Sequence, residues 1–222
     1  MKLYQFSCFE GKNIDMRQAN AVLKYRPDII IFEAPCNEKT PDLIYNKFSP
    51  SKKPQSELIK YKEMLHKVAK KFSWVESDIY VYDNIATLWK EGHDIKLYNV
   101  DGPSELLKIN LKFDDKKYPK PYRRGTHFVW WVRIYIREKI MTKNVQWILS
   151  HYKNKKDFTG LVFLESFHWR NVKFQLSKPP KKQMWNYYFG NFRDLNQKNI
   201  GSRIKENNKL LYKYWLKYSE FK

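Results

Sequence analysis

Asp28-Ile29-Ile30-Ile31-Phe32-Glu33 decides the fold. Its apolar core is continuous, rich in β-branched side chains, and shows no alternation with polar residues. Such a run reads as a strand buried on both faces, which belongs in a parallel sheet covered by helices on each side. Upstream, Leu3 to Phe9 reads as a first short strand. Between the two, Asp15 to Tyr25 carries Met16, Ala19, Val22 and Leu23 at helical spacing, and Pro27 supplies the stop. Downstream, residues 34–54 read as a long proline-containing loop, and Gln55 to Phe72 and Tyr80 to Lys90 as helices. Ile95 to Asp101 is a third strand that ends at the turn Gly102-Pro103. Residues 112–124 form a loop rich in Lys, Pro and Tyr. Thr126 to Tyr152 reads as one long helix, apolar nearly all round in its first half, so its start is expected to be buried. Leu161-Val162-Phe163-Leu164 is a fourth strand, and the chain is helical after Pro179-Pro180.

Strands alternating with helices define an α/β fold with a largely parallel central sheet flanked by helices, followed by a basic C-terminal helical extension. The expected division is an α/β domain over residues 1–190 and the extension over 191–222. In such sheets ligands sit outside the carboxyl ends of the strands. The residues that follow the strands are Glu10 and Lys12, Glu33, Asp101, and His168. One topology thus brings two glutamates, an aspartate, a lysine and a histidine to one rim. Carboxylates there can act as general base, bind a metal, or orient the histidine. Arg137, in the long helix, can hold an oxyanion or pair with a carboxylate. The plainer reading is that Glu33 and Asp101 cap helices and that Arg137 forms a structural salt bridge with one of them.

Composition sets the remaining bounds. The chain has 222 residues, 42% of them hydrophobic and 17% aromatic, enough to exclude a disordered chain. No apolar run reaches the roughly 18 residues of a membrane-spanning helix. Cys8 and Cys36 are too few for a disulfide scaffold and lack zinc-ligand spacing. A soluble, cytoplasmic protein is expected. Lys and Arg number 43 against 23 Asp and Glu, a formal net charge of +20. That field favours an anionic small molecule or a nucleic acid as partner, unless the lysine excess only reflects genome composition.

Arg137-Glu138-Lys139-Ile140-Met141-Thr142-Lys143-Asn144-Val145 resembles the R-[DE]-x-x-M-x-x-N-V segment of erythromycin-esterase-like proteins. A strand ending in a histidine, Leu161 to His168, follows it as in that family. Ile29 to Glu33 resembles the strand that carries the family's glutamate, and Ile95 to Asp101 its next strand and aspartate. The order of elements agrees over residues 1–176, and the wider group includes TraB-type and haem-binding ChaN-type proteins. The resemblance implies an esterase- or metallohydrolase-like site in which Glu33, Arg137 and His168 carry over. Two positions depart. Lys12 stands where the family's first motif has a histidine, and the glycine of the later G-x-x-H pattern is Glu165. The first histidine is the family's expected base or metal ligand. An ammonium cannot ligate a metal while protonated, so a divalent cofactor is possible but Lys12 does not support it.

Lys205, Lys209, Lys213 and Lys217 recur every fourth residue and would form one stripe on a continuous helix. Arg123 and Arg124, and Lys181 and Lys182, lie in further clusters that mix cations with prolines and tyrosines, as phosphate-tracking surfaces do. Two functions follow. One is a hydrolase-like enzyme whose pocket holds Glu10, Lys12, Glu33, Asp101, Arg137 and His168. The other is a non-catalytic protein that binds RNA, including ribosomal RNA, through its lysine-rich surface.

Overall fold

The computed structural model describes residues 2–7, 16–36, 42–43, 74–109, 128–193 and 195–221. The Ile29–Ile31 run lies where its composition places it. Strand β2 (Ile29–Pro35) is central, and its three isoleucines are fully enclosed. Ile30 faces one apolar cluster and Ile29 and Ile31 face another, the alternation a strand imposes. Its neighbours are β4 (Lys96–Asp101) and β5 (Thr159–Phe163), both parallel to it, and β1 (Lys2–Gln5) pairs parallel with β5. The two-residue strand β3 (Asp42–Leu43) adds antiparallel to β4, giving the order β1-β5-β2-β4-β3. Ile30 is in register with Leu97 on one side and Leu161 on the other.

Helices cover both faces. Helices α1 (Arg17–Tyr25) and α2 (Trp74–Lys90) bury Ala19, Val22, Ile85 and Leu88 against Ile30, Leu97, Leu161 and Phe163. Helix α1 ends at Arg26, whose left-handed φ of 42° turns the chain before Pro27. After the short α3 (Ser104–Leu107) comes α4 (Phe128–Tyr152), 25 residues long. Its second half lays Met141, Val145 and Ile148 on Ile29, Ile31, Tyr98, Val100 and Val162. Its first half leaves the sheet and enters a third cluster with α6 (Lys181–Phe189), α7 (Ile200–Asn207) and α8 (Lys209–Tyr218). This explains why the start of α4 is apolar nearly all round: the C-terminal helices pack on it where the sheet does not. Helix α5 (Ser166–Leu176) leads from β5 back across α4. No helix among the described residues is long and apolar enough to cross a membrane.

Several expected elements differ at their ends. The helix expected from Tyr80 begins at Trp74, and the strand expected over Leu161–Leu164 runs Thr159–Phe163. The helix expected over Gln55–Phe72, the basic loop 112–124 and most of loop 34–54 lie outside the described residues. The continuous lysine stripe is corrected. Asn208 adopts an extended backbone (φ −156°, ψ 111°), and its side chain caps α8 by accepting from the Leu211 N–H at 2.8 Å. Lys205 therefore belongs to α7, and only Lys209, Lys213 and Lys217 share a helix.

The C-terminal helices share their apolar cluster with α4. Trp215 is 1% exposed and packs beside Tyr135, Phe189 and Phe221. Truncating a buried aromatic to alanine removes its contacts and leaves a cavity. Trp215→Ala is expected to lower unfolding stability by about 3–5 kcal/mol in a urea titration; a loss of less than about 1 kcal/mol would show that this cluster is not integral to the fold.

Candidate functional site

The site forms where β2, β4 and β5 end beneath α4 and α5. Glu33 follows Ile29 and Ile31 at the two-residue repeat of a strand, which turns it toward the α4 face. The register between β2 and β4 shifts between Phe32 and Pro35, an irregularity of the kind that re-aims side chains beside functional sites. Just beyond it the Cys36 N–H donates to the Asp101 carbonyl at 3.2 Å, so the strand ends stay joined. On α4, Arg137 sits one turn before the sheet-facing Met141, and this stripe carries the guanidinium to the strand ends.

Arg137 donates through Nε to Asp101 Oδ1 at 3.1 Å and through Nη2 to Asp101 Oδ2 at 2.5 Å. This is a two-pronged pairing, the strongest geometry for an Arg–carboxylate contact. Nη2 also reaches Glu33 Oε1 at 3.2 Å. Asp101 Oδ1 accepts from the Gly102 N–H at 2.6 Å as well. Glu33 Oε2 accepts from the Glu165 N–H at 2.8 Å, which ties β2 to the start of α5. The structural pairing anticipated for Arg137 is therefore real, and it engages both carboxylates. It uses Nε and Nη2; the Nη1 hydrogens have no acceptor among the described residues.

His168 is in the first turn of α5, not in the loop past β5. Its Nδ1 lies 2.9 Å from Glu138 Oε1, and its Nε2 faces Glu33 Oε1 at 3.5 Å and Glu165 Oε2 at 3.9 Å. Glu138 is fully buried. It is satisfied by His168, by Asn171 Nδ2 at 2.7 Å, and by the Tyr188 hydroxyl, which donates to Oε2. His168, Asn171 and Gln175 form one buried polar stripe on α5 at helical spacing. Sequence reasoning assigned Glu138 no role. The available signal was a carboxylate in the half of the helix expected to be buried, where a charge demands a partner.

These contacts move the titrations. Burial raises the Glu138 carboxyl above its ordinary value, against the opposing pull of His168, Tyr188 and Asn171. Burial also raises Glu33, opposed by the charge of His168, the Glu165 N–H and Arg137. For His168 burial acts downward, but the Glu138 hydrogen bond and the charges of Glu33 and Glu138 outweigh it and raise the imidazole. A proton is therefore held between Glu33, His168 and Glu138 at a pH where a free imidazole would have lost it.

Glu33, Glu165 and His168 place one donor atom each within 4.8 Å of one another and could hold a divalent ion. Glu138 behind the imidazole is the arrangement that fixes a metal-ligating histidine. Against this, both Glu33 oxygens already accept hydrogen bonds.

Four of the residues expected at the rim, Glu33, Asp101, Arg137 and His168, are thus brought together. Glu10 and Lys12 lie outside the described residues, as do Arg123 and Arg124. Lys181, Lys182, Lys205, Lys209, Lys213 and Lys217 are all exposed and stand apart from the strand-end site. No family model matches the chain, and no curated protein or solved structure is significantly similar to it.

Two outcomes follow from this geometry. Arg137→Leu removes the partner of the nearly fully buried Asp101, and breaking a buried pair in this way costs about 3–5 kcal/mol. The double variant Arg137→Leu/Asp101→Asn should lose clearly less than the sum of its single changes in chemical denaturation; additive losses would mean the pair is not coupled. Glu33, Glu138 and His168 all bind protons more tightly when folded. The folded state then holds more protons than the unfolded one, so stability falls as pH rises. For His168 the contribution is complete below its ordinary value of 6.5 and is lost as pH climbs through the higher folded value. Denaturation midpoints should decline above that pH, and the decline should flatten in Glu138→Gln/His168→Gln.

Proposed function

We propose that the protein is a hydrolase-like enzyme in which Glu33 and His168 perform acid–base chemistry on an anionic ester. The observation that carries this reading is the contact of His168 Nε2 with Glu33 while Nδ1 is held by the buried Glu138. A carboxylate behind Nδ1 fixes the ring and stabilises its charged form, so that Nε2 presents a proton toward Glu33 and Glu165. Glu33, with its raised carboxyl, is a stronger base than an ordinary glutamate and is placed to draw a proton from water. His168 then returns a proton to the leaving oxygen. Arg137 holds Glu33 and Asp101 in place, and its Nη1 hydrogens are available to a developing negative charge. The net charge of +20 would draw in an anionic substrate. The likeness of Arg137–Val145 to the erythromycin-esterase-like segment supports the same reading.

The test uses p-nitrophenyl acetate and bis(p-nitrophenyl) phosphate as probes, with and without a chelator. Hydrolysis is expected to fall by about 10²–10⁴-fold in His168→Ala and in Glu33→Gln. Turnover unaffected by either change, or absent from every ester tried, would reject the reading.

A second reading is kept by the exposed lysines. Lys209, Lys213 and Lys217 line one side of α8, and Lys181 and Lys182 open α6. This surface fits a nucleic-acid backbone without catalysis. Binding of single-stranded RNA should then weaken steeply with salt and drop in Lys209→Ala/Lys213→Ala; affinity flat from low to moderate salt would exclude it.

A further inference from the structure

Three donors converge on the buried carboxylate behind His168. Asn171 Nδ2 and His168 Nδ1 share Glu138 Oε1 at 2.7 Å and 2.9 Å, and the Tyr188 hydroxyl donates to Oε2. His168 and Asn171 belong to α5, and Tyr188 to α6, the helix that follows Pro179-Pro180. The direction of these bonds can be traced outward. Gln175 Nε2 donates to the Tyr188 oxygen at 2.8 Å, so the tyrosine's own hydrogen is left for Glu138. The Tyr187 hydroxyl donates to Asn171 Oδ1, which turns the Asn171 NH2 toward Glu138. Tyr188 keeps its hydrogen, because burial and the neighbouring Glu138 charge hold its hydroxyl far above the ordinary phenol value. Four residues of α5 and α6 thus aim hydrogens at one carboxylate of α4, directly or through a neighbour.

Those hydrogens decide which way the Glu138–His168 bond points. A fully enclosed carboxyl that lacks donors takes up a proton rather than stay charged. A protonated Glu138 would donate from Oε1 to His168 Nδ1 instead of accepting from it. One proton accounts for the difference: it leaves Nδ1 for Oε1, while Nε2 keeps its own hydrogen. The ring would then be a neutral imidazole, whose Nε2 hydrogen is far less acidic than that of an imidazolium. The hydrogens of Tyr188 and Asn171 stabilise the ionised carboxylate and hold the bond in the opposite sense.

We propose that Tyr188 and Asn171 are positioning residues of the strand-end site: acting through Glu138, they keep the hydrogen of the Glu138–His168 bond on Nδ1, so that Nε2 remains able to give up a proton. The site then reaches beyond the sheet and its covering helices into α6. The effect on turnover rests on the hydrolase reading proposed above. The effect on the ring rests on the hydrogen-bond geometry alone.

The experiment is nitrogen NMR of the His168 ring in the full chain at neutral pH, which reports whether each ring nitrogen bears a hydrogen. In the unaltered protein Nδ1 is expected to carry one. In Tyr188→Phe/Asn171→Leu, two changes of similar volume, Nδ1 should be bare and Nε2 protonated. Tyr188→Phe alone keeps the ring packed against Tyr135 and should show part of the same change, so it carries the test where the double change destabilises the fold. Tyr98→Phe is the control: it removes another buried hydroxyl, that of the Tyr98–Tyr152 pair, and should leave Nδ1 protonated. A bare Nδ1 in the unaltered protein, an unchanged ring in both Tyr188 variants, or the same loss in Tyr98→Phe overturns the proposal. With p-nitrophenyl acetate, Tyr188→Phe should lower kcat about tenfold, the size of one hydrogen bond to a charged group, and leave KM unchanged. A raised KM with kcat unchanged also overturns it. If the unaltered protein turns over no ester, the hydrolase reading fails, and the ring measurement alone decides for or against the positioning role.

Discussion

A guanidinium wedged between the carboxyl ends of two parallel strands is the constraint on which the rest of the molecule depends. Arg137 grips Asp101 with two nitrogens and shares one of them with Glu33. Such a group is expensive to remove from water unless its donors and its partners' lone pairs are satisfied. Here the partners are satisfied, the Gly102 N–H completing Asp101 and the Glu165 N–H completing Glu33, while the Nη1 hydrogens alone have no acceptor among the described residues. Each of those backbone groups belongs to a chain segment leaving a strand. The ion cluster thereby ties the ends of β2, β4 and β5 to one point on α4.

That point also organises the helices. Glu138 is the next residue along α4, and a helix turns consecutive side chains by about 100°. Arg137 faces the sheet while Glu138 faces α5 and α6. Buried without a compensating cation of its own on α4, Glu138 collects His168, Asn171 and Tyr188 from those two helices. Hydrogen bonds thus run without interruption from Asp101 through Arg137 to Glu33, and from His168 through Glu138 and Tyr188 to Gln175. The two chains meet where His168 approaches Glu33. A polar network of this extent inside an apolar frame specifies one arrangement of the helices, because alternative packings would strand its charges. It is also the arrangement that acid–base chemistry requires, with one ring nitrogen held from behind and the other facing a carboxylate.

Much of this was legible in the residues. The unbroken Ile29–Ile31 run implied a strand covered on both sides, and Ile30 does face a different cluster from Ile29 and Ile31. The strand-end rule gathered Glu33, Asp101 and His168 because parallel strands all end on the same rim. Arg137 entered as a cation of the long helix able to pair with a carboxylate, and as the first residue of the esterase-like segment. The role of Glu138 was not legible, because the expected burial of its half-helix does not say which distant residues, His168, Asn171 and Tyr188, would meet it. The lysine stripe misled for the opposite reason. Its four-residue spacing is compatible with one helix, but Asn208 can cap a new one, and the chain turns there.

What the sequence determined by itself is therefore the layered α/β frame and the identity of the groups at its rim. Periodicity and apolar runs are local properties, and local properties dictate which surface an element must hide. What only the tertiary structure decided is how those groups are paired. The two-pronged grip of Arg137 on Asp101 and the burial of Glu138 behind His168 join residues far apart along the chain. Their hydrogen bonds form only when water is excluded from both partners, and packing alone sets which donors and acceptors are enclosed together.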